Sequence, residues 1–362
     1  MFTSSRFPIL AFLLSLAVLH SCNAQHRPST HITKINLTGD VVTSVSDSIW
    51  VIFQDKDGNY WYGSNGQGVF RYDQVNKTIL RLSMKHGLSN DSIREIQQDR
   101  NGAMYFGTMN GICRYDGYVL NELTPIKSND SMSGWRLEPG DLWFKGNSNV
   151  NGPYRYDGRQ LFDLDFPKHE LEEELIAQTG IRPWSNYGVY TIYNDSKGNI
   201  WFGTSAFGAC RFDGKELIWI SENEITFRTD AFGVRGIIED RNGWMLLTNT
   251  IFKYSITENE LTHNDESVTA FVKEKGIGNG ECPYFQSIVK DSLEHYWMVT
   301  YMKGVWRYEA TSGKMIHYPI LKNEVQIPLV SIYKDREGKL WLATQEDGVY
   351  FYNDDVFEKF GF

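Results

Sequence analysis

The sequence predicts an all-β fold, a seven-bladed β-propeller of four-stranded antiparallel blades. One phrase, clearest at residues 49–74, returns six more times along the 362-residue chain. One aromatic or apolar position marks every copy, and successive markers are 38–58 residues apart. This period suits a propeller blade and is too long for ankyrin or leucine-rich repeats. The markers are Trp61, Tyr105, Trp143, Trp201, Leu246, Trp297 and Trp341.

Each copy is predicted to begin with two strands joined by a tight turn. The first strand is short and rich in Ile, Val and aromatic residues, which suits a buried or half-buried strand. The pattern Asp-x-x-Gly follows, in which the Asp side chain accepts hydrogen bonds from the turn and Gly adopts positive φ. The clear cases are residues 55–58, 99–102, 195–198, 240–243 and 335–338.

The first of these turns also resembles the opening of a calcium loop, because Asp55, Asp57 and Asn59 alternate. Such a loop needs a bidentate Glu at its twelfth position and Gly at its sixth. Those positions hold Gly66 and Tyr60. We therefore interpret the phrase as a hairpin turn.

The third strand is Gly-x-x-Arg-Tyr-Asp in its best form and leads, through a further hairpin, to an outer strand. Its arginine recurs at one position per blade, so we expect it to bridge blades or cover aromatic surface rather than to bind an anion. The recurring Trp residues are likewise expected in the core. The arginines are Arg71, Arg114, Arg155, Arg211 and Arg307.

The amino-terminal segment predicts export. Residues 1–21 contain one charged side chain, Arg6, and an apolar run too short to span a membrane, as in a secretory signal peptide. Leu19 and Ser21 before Cys22 resemble a bacterial lipobox, which would make Cys22 a lipidated anchor in the outer membrane or periplasm. Cleavage after Ala24 by an ordinary signal peptidase is the alternative. We assign residues 1–24 to the signal peptide, 25–34 to a tether and 35–362 to the propeller, with no second domain.

Two cysteines of the propeller are expected to be free. Cys113 and Cys210 occupy the same strand position in the second and fourth blades, which are not neighbours, so a disulfide would exceed its allowed Cα separation. They are predicted to be small buried apolar residues. The sequence shows no Cys/His metal spacing, and we predict no cofactor and no metal.

Composition excludes one class of partner. The chain is 41% hydrophobic and 14% aromatic, which suffices for a sizeable core, and its net charge is −9. Nucleic-acid recognition depends on Lys and Arg contacts to phosphate, so we expect no nucleic-acid partner.

Two segments compete to close the ring. Residues 35–37 resemble an outer blade strand, and so do residues 356–360 at the carboxyl terminus. Either would bring the two ends of the chain together and leave no long exposed sheet edge.

The repeated phrase resembles the two-component regulator propeller repeat, which is found in the periplasmic sensor halves of bacterial hybrid histidine kinases. The resemblance covers nearly all of residues 49–362. It implies ligand binding, often of glycans, with the signal passed through a membrane helix to a kinase. No second membrane span, kinase or receiver domain is visible here, so we expect an exported stand-alone module that acts through a membrane-bound signalling protein.

Residues that interrupt the repeat are the predicted ligand-binding candidates. The longest insertion, residues 166–188, contains a helical pattern at residues 168–178. The long connections are expected to share one face with the loops between second and third strands, and insertions on one face often mark the binding side. Aromatic rings beside charges suit an oligosaccharide or peptide. The candidates are Arg182, Trp184, Tyr187, Arg228, Glu281, Tyr284, Tyr301, Lys303, Glu346 and Asp347.

Three functions remain open at this stage. The leading hypothesis is a non-enzymatic, ligand-binding sensory propeller at the periplasm or cell surface. The second is a propeller-fold lyase or hydrolase, since fold does not fix function. Against it, His86, His169 and His263 show no metal spacing, no nucleophile motif is visible, and we predict no catalytic residues. A structural scaffold is the third.

Overall fold

The structure is a computed structural model that describes residues 39–127, 132–146, 149–180, 184–221, 233–248, 252–256, 271–277 and 284–362. Seven sheets of four or five strands follow one another along the chain, and the last packs against the first. The predicted seven-bladed β-propeller is therefore confirmed. The chain from Leu37 to Phe362 forms one compact unit.

Blades 1 and 2 follow the predicted plan, in which strands run in sequence from the axis outward. Blade 1 carries a fifth strand, β1, which pairs antiparallel with β5 on its outer edge. A single 3-10 turn at Met84–His86 leads to blade 2. The strands are β1 Asp40–Val42, β2 Ile49–Gln54, β3 Tyr60–Ser64, β4 Val69–Asp73 and β5 Thr78–Leu82, then β6 Ile93–Gln98, β7 Met104–Thr108, β8 Ile112–Tyr115 and β9 Leu120–Leu123.

Blade 3 departs from the plan. Its strands are β10 Pro125–Lys127, β11 Leu142–Phe144, β12 Tyr154–Tyr156 and β13 Leu161–Asp163. Strand β10 pairs parallel with β13 on the outer edge, and no described strand lies on the inner side of β11. The prediction of four antiparallel strands is therefore wrong for this blade. The segment before β11 carries Pro139, which cannot donate to a ladder, and Trp135 packs there between blades 3 and 4.

Blades 4 to 7 again have four antiparallel strands each. The strands of blades 4 and 5 are β14 Val189–Asn194, β15 Ile200–Thr204, β16 Ala209–Phe212 and β17 Leu217–Ile220, then β18 Ile237–Glu239, β19 Met245–Leu247, β20 Phe252–Ile256 and β21 Phe271–Lys275. Those of blades 6 and 7 are β22 Ser287–Lys290, β23 Tyr296–Val299, β24 Val305–Glu309 and β25 Lys314–Tyr318, then β28 Leu329–Lys334, β29 Leu340–Thr344, β30 Val349–Asn353 and β31 Val356–Lys359. A small hairpin of β26 Leu321–Lys322 and β27 Val325–Gln326 joins the last two blades.

The repeated Asp has a second role beside the turn. In blade 1, Asp55 Oδ1 accepts hydrogen bonds from the turn N–H groups of Asp57 and Asn59, as expected of a hairpin turn. Its Oδ2 accepts the indole N–H of Trp61 at 2.8 Å. The same indole bond joins Asp195 to Trp201, Asp291 to Trp297 and Asp335 to Trp341. The bond explains why the Asp and the marker Trp keep a fixed spacing, since the buried indole needs an acceptor.

Adjacent blades are joined through aromatic packing. Trp61 of blade 1 contacts Phe106 and Tyr115 of blade 2, with ring centroids 5.5 and 6.1 Å apart. The third-strand arginines cover aromatic surface as predicted in three blades: Arg71 lies over Trp61, Arg155 over Phe162 and Arg307 over Trp297.

The carboxyl terminus supplies the outer strand of blade 7. Strand β31 pairs with β30, so the second of the two closing candidates is confirmed; residues 35–37 lie outside the described residues. Among the described residues, side-chain contacts and a backbone hydrogen bond from the Gly348 N–H to the Asp47 carbonyl oxygen join blade 7 to blade 1. The Tyr60 hydroxyl donates to Asp335 at 2.6 Å, and Phe362 packs edge-on against Tyr62 and Tyr72.

The insertion after blade 3 contains the predicted helix. Helix α1 spans Glu172–Thr179, so it begins four residues later than the predicted range and ends one residue beyond it, and its Leu175 is buried. Cys113 and Cys210 are free and fully buried, as predicted. No described helix has the length and apolar character needed to cross a membrane.

Candidate functional site

A β-bulge directs one side chain of an inner strand toward the propeller axis. In β2, β6, β14 and β28 the pairing with the second strand shifts just after the first residue. The extra residues are Trp50, Arg94, Tyr190 and Val330. A bulge re-aims the side chain of the residue it inserts, and bulges are frequent beside functional sites.

These four residues line a cavity of about 560 Å³ on the axis. Arg235 and Gln286 occupy the equivalent position in blades 5 and 6 and line it as well, so six of the seven blades contribute one such side chain. A cavity of this volume lies in the range of small-molecule sites. The remaining lining residues are Met109, Lys145, Gly146, Gly188, Val189, Thr191, Ser287, Tyr301, Ser331 and Gln345.

Blade 3 contributes Lys145 instead of a bulge residue. Because no described inner strand covers β11, side chains of β6 satisfy its free edge. The Lys145 N–H donates to Glu95 Oε1 at 2.8 Å, and Gln97 Nε2 donates to the Trp143 carbonyl oxygen at 2.6 Å. The Lys145 side chain reaches the axis, where its Nζ donates to the Arg94 carbonyl oxygen at 3.2 Å.

The lining carries three cations and, among the described residues, no carboxylate. Burial lowers the pKa of Lys145; Glu95 opposes this effect, whereas Arg94 and Arg235 strengthen it. Burial and the charge of Arg235 lower the pKa of Arg94 to about 10. Burial also raises the pKa of the Glu95 carboxyl. The axis thus concentrates three basic side chains in a chain whose net charge is −9.

Two of the cations are stacked on aromatic rings. The Arg94 guanidinium lies 4.0 Å from the ring centroid of Trp50, and that of Arg235 lies 4.2 Å from the centroid of Tyr190. Arg94 Nε also contacts the Met109 sulfur at 2.8 Å. Stacking fixes the plane of a guanidinium while its in-plane N–H groups stay available to an anion.

The opposite side of the cavity is neutral and polar. Blades 6 and 7 contribute Gln286, Ser287, Ser331 and Gln345 together with Val330. The Tyr301 hydroxyl donates to Gln345 Oε1 at 2.7 Å at this side of the mouth. Hydroxyl and amide groups of this kind orient a ligand through hydrogen bonds.

One predicted candidate, Tyr301, lines the axial cavity. It is 45% exposed and lies in a loop between second and third strands, on the face expected to bind. Four other candidates do not line the axial cavity. Three of them are exposed, Trp184, Lys303 and Glu346, and Tyr284 is half-buried.

Two other candidates lie in the protein interior. Tyr187 is 6% exposed, packs against Phe207, and its hydroxyl accepts the His169 N–H at 2.7 Å. Asp347 is 3% exposed. Burial raises the pKa of Asp347, but hydrogen bonds from Lys322, Lys359 and Tyr350 outweigh burial and lower it to about 2. Both side chains have structural partners that explain them.

Four sequence predictions fall outside the described residues. These are the candidates Arg182, Arg228 and Glu281 and the lipidation site Cys22. They stay predictions.

The bulge positions are not among the sequence-predicted candidates, because those candidates all lie where the repeat is interrupted. A comparison of the copies column by column contains the signal. The residue before the bulge is always apolar, as in Ile49, Ile93 and Val189, whereas the bulge residue itself changes from copy to copy. A variable position inside an otherwise regular strand indicates a side chain that blade packing does not determine.

A second, smaller cavity of about 240 Å³ lies between blades 5 and 6. Its charges are paired with each other, because Lys253 Nζ lies 3.0 Å from Asp240 Oδ2 and 2.7 Å from Glu274 Oε1. Within the described part of the chain, no three or more His, Cys, Asp and Glu side chains are placed to hold a metal ion. The axial cavity is thus the better candidate site.

Comparisons with known proteins agree with the repeat. Residues 43–66, 87–110 and 183–206 match the family model described as two component regulator propeller. None of the curated protein sequences matches the chain.

Several solved structures share the fold at low sequence identity. The extracellular domain of the one component system BT4673 from B. thetaiotaomicron has a TM-score of 0.56 and 18% identity, over 88% of this chain and 40% of that one. Virginiamycin B lyase from Staphylococcus aureus has a TM-score of 0.58 and 16% identity, over 86% of this chain and 97% of that one. PorZ, a surface component of the type-IX secretion system of Porphyromonas gingivalis, has a TM-score of 0.55 and 14% identity, over 86% and 48%. The chain thus spans 40% of the BT4673 domain.

Proposed function

We propose that this chain, which carries two-component regulator propeller repeats, is a sensory module that binds a small ligand in its axial cavity. The observation that supports the proposal is the ring of bulge residues. Six blades each place one side chain on the axis, four of them through a β-bulge, and the six positions hold five different residue types. A role in blade packing would favour one residue type at all six positions.

The proposed module has no catalytic role of its own and passes its signal to a membrane-bound signalling protein. This part rests on the repeat family and on the predicted export signal with Cys22 as lipid anchor. Oligosaccharides and peptides are the ligand classes to test, because the lining combines aromatic rings, charges and neutral hydrogen-bonding groups.

A thermal-shift screen of the purified protein against oligosaccharides and peptides tests the proposal. A ligand at a hundred times its dissociation constant adds about 2.7 kcal/mol of stability. Each hit is retested with Val330→Trp, which fills the axial cavity without changing its charge. The control is Val41→Trp on the outer edge of blade 1, where Val41 is 79% exposed.

The expected result is a shift that Val330→Trp abolishes and Val41→Trp preserves. A shift that survives Val330→Trp in a folded variant would place the ligand elsewhere and refute the axial site. The absence of any hit would refute the ligand classes named.

A lyase is the second candidate, and one observation favours it. Lys145 lies in the cavity with a lowered pKa, and Arg94 and Arg235 contribute to the lowering. An amine with a lowered pKa can remove a proton as a general base, the step that begins an elimination. Conversion of a bound hit to an unsaturated product, lost in Lys145→Met, would favour the lyase over the sensory module.

A further inference from the structure

The charges around the axial cavity are unevenly distributed. In blade order the axis carries Trp50, Arg94, Lys145, Tyr190, Arg235, Gln286 and Val330. The three cations thus lie in blades 2, 3 and 5, and the side formed by blades 6 and 7 is uncharged. A ligand that fills the cavity meets positive charge at one end and neutral hydrogen-bonding groups at the other.

The lining of this positive side contains no described carboxylate. No described carboxylate forms an ion pair with Arg94 or Lys145 within 4.0 Å. The nearby acid is Glu95, whose Oε1 accepts the backbone N–H of Lys145. Partly buried cations without a counter-charge are costly, because burial removes water that would otherwise solvate them. An anionic ligand would supply a counter-charge to Arg94, for which no ion pair is formed among the described residues.

Aromatic rings hold two guanidinium groups of the lining in fixed planes. Trp50 and Tyr190 each cover one face of an arginine, at 4.0 and 4.2 Å. Arginine presents its donors in the plane of the group, in a geometry that matches carboxylate and sulfate. Because the aromatic rings fix both planes before binding, less side-chain freedom is lost when the anion arrives. Trp50 and Tyr190 are positioning residues in this arrangement.

The Trp50 indole N–H adds a further donor. Its Nε1 is buried without a hydrogen-bond partner among the described residues, although buried donors are nearly always paired. Trp50 itself lines the cavity.

From this arrangement we infer that the axial cavity binds an acidic sugar, with its carboxylate or sulfate at Arg94, Lys145 and Arg235 and its hydroxyl groups toward Gln286, Ser287 and Ser331. This inference rests on the proposed function and adds the chemical class of the ligand. The cavity volume limits the ligand to a few sugar residues. Carboxylate and sulfate share the required charge and geometry, so the experiment treats them as separate arms.

Calorimetric titration with a matched set of probes tests the inference. The set is a galacturonic acid disaccharide, the corresponding neutral galactose disaccharide, and a sulfated galactose with its unsulfated form. We expect each acidic probe to bind about tenfold or more tightly than its neutral partner, because a charge-assisted hydrogen bond is worth about 1.5–3 kcal/mol. The arm with the larger preference identifies the anionic group.

Charge-removing variants assign the preference to the cavity. Arg94→Gln and Lys145→Met should reduce the preference for the acidic probe at least severalfold, because both variants weaken binding of the acidic probe more than binding of the neutral probe. Arg336→Gln is the matched control, because it removes one charge from an exposed turn of blade 7. Lys145→Arg keeps the charge and should keep the preference, which guards against a loss of fold in Lys145→Met.

The outcomes separate the inference from the proposed function. Equal affinity for acidic and neutral probes, or a preference that survives both cavity variants, overturns the acidic-sugar inference. Failure of both acidic probes to bind at millimolar concentration overturns it as well. In each case, binding of a neutral sugar that Val330→Trp abolishes would still support the axial binding site. Binding that Val330→Trp does not change would refute both the axial site and the acidic-sugar inference.

Discussion

Two tyrosines on strand β3 should respond in opposite ways to loss of the hydroxyl group. Tyr60 is 4% exposed, and its hydroxyl donates to the Asp335 carboxylate at 2.6 Å across the interface of blades 1 and 7. Tyr62 is fully buried two residues later, and its hydroxyl has no hydrogen-bond partner within the described residues. The substitutions Tyr60→Phe and Tyr62→Phe remove one oxygen each and keep the ring.

The expected changes in unfolding free energy follow from the different hydrogen bonding of the two hydroxyl groups. A hydrogen bond to a charged acceptor contributes about 1.5–3 kcal/mol, so Tyr60→Phe should lower the free energy of unfolding by about 2 kcal/mol. Asp335 keeps its bond to the Trp341 indole, which limits the loss. An unpaired buried hydroxyl costs about 1–3 kcal/mol, so Tyr62→Phe should be neutral or stabilise by about 1 kcal/mol.

Urea unfolding followed by tryptophan fluorescence measures both changes, because the midpoint moves with stability at constant slope. Tyr72→Phe is the control in the same interface, since the Tyr72 ring packs against Phe360 and Phe362. Equal destabilisation by Tyr60→Phe and Tyr62→Phe would refute the reasoning. It would show that the effect of Tyr60→Phe cannot be assigned to the cross-blade bond to Asp335.

Three further predictions concern packing and pH. A Cβ at Gly203 would clash with the backbone oxygen of Val234 in the next blade, so Gly203→Ala should lower the unfolding free energy by about 1–3 kcal/mol. Gly361→Ala is the control, because a Cβ at Gly361 meets open space. Equal melting temperatures of the two variants would contradict this prediction. Burial lowers the pKa of His169 below its usual 6.5, so its stabilising contribution is present above pH 6.5 and should be lost as the pH falls toward the folded-state pKa. Chemical denaturation at several pH values should show that the unfolding free energy decreases over this range, and that His169→Gln makes the decrease smaller. An unchanged pH dependence in His169→Gln would contradict this prediction. The pKa of Asp347 falls from 3.8 to about 2 in the folded protein. The ionised carboxylate should therefore contribute roughly 2 kcal/mol to the unfolding free energy above pH 3.8, and this contribution should be lost as the pH falls toward 2. Asp347→Asn should lack the contribution at neutral pH, and a neutral-pH stability equal to that of the parent protein would contradict this assignment.

The seven-bladed fold could be predicted because each blade repeats a local chemical solution. The turn Asp and the marker Trp form one hydrogen-bonded unit, as in Asp195 with Trp201, and both belong to the same short stretch of sequence. Local units of this kind are visible without knowledge of distant contacts.

The site could be predicted only in part, because it depends on contacts between distant blades. The sequence indicates Tyr301 because it is an aromatic residue in a loop. Lys145 reaches the cavity for a non-local reason: no described inner strand lies beside β11, and Glu95 of the neighbouring blade binds the Lys145 backbone N–H instead. Contacts inside the protein likewise explain why a candidate such as Tyr187 does not face the ligand site: its hydroxyl accepts a hydrogen bond from the backbone N–H of His169. Long-range pairings of this type leave no signature in the residues around each position.

The bulge residues separate the part of the chain that folds from the part that recognises. Ile49 and Ile52 on strand β2 are buried in the core that blades 1 and 7 share, whereas Trp50, which lies between them in sequence, lines the axial cavity and stacks on Arg94. We therefore expect single substitutions at these six positions to change ligand binding more than stability. The residue directly after the apolar residue that opens each blade is therefore the first position to compare in other proteins that carry this repeat.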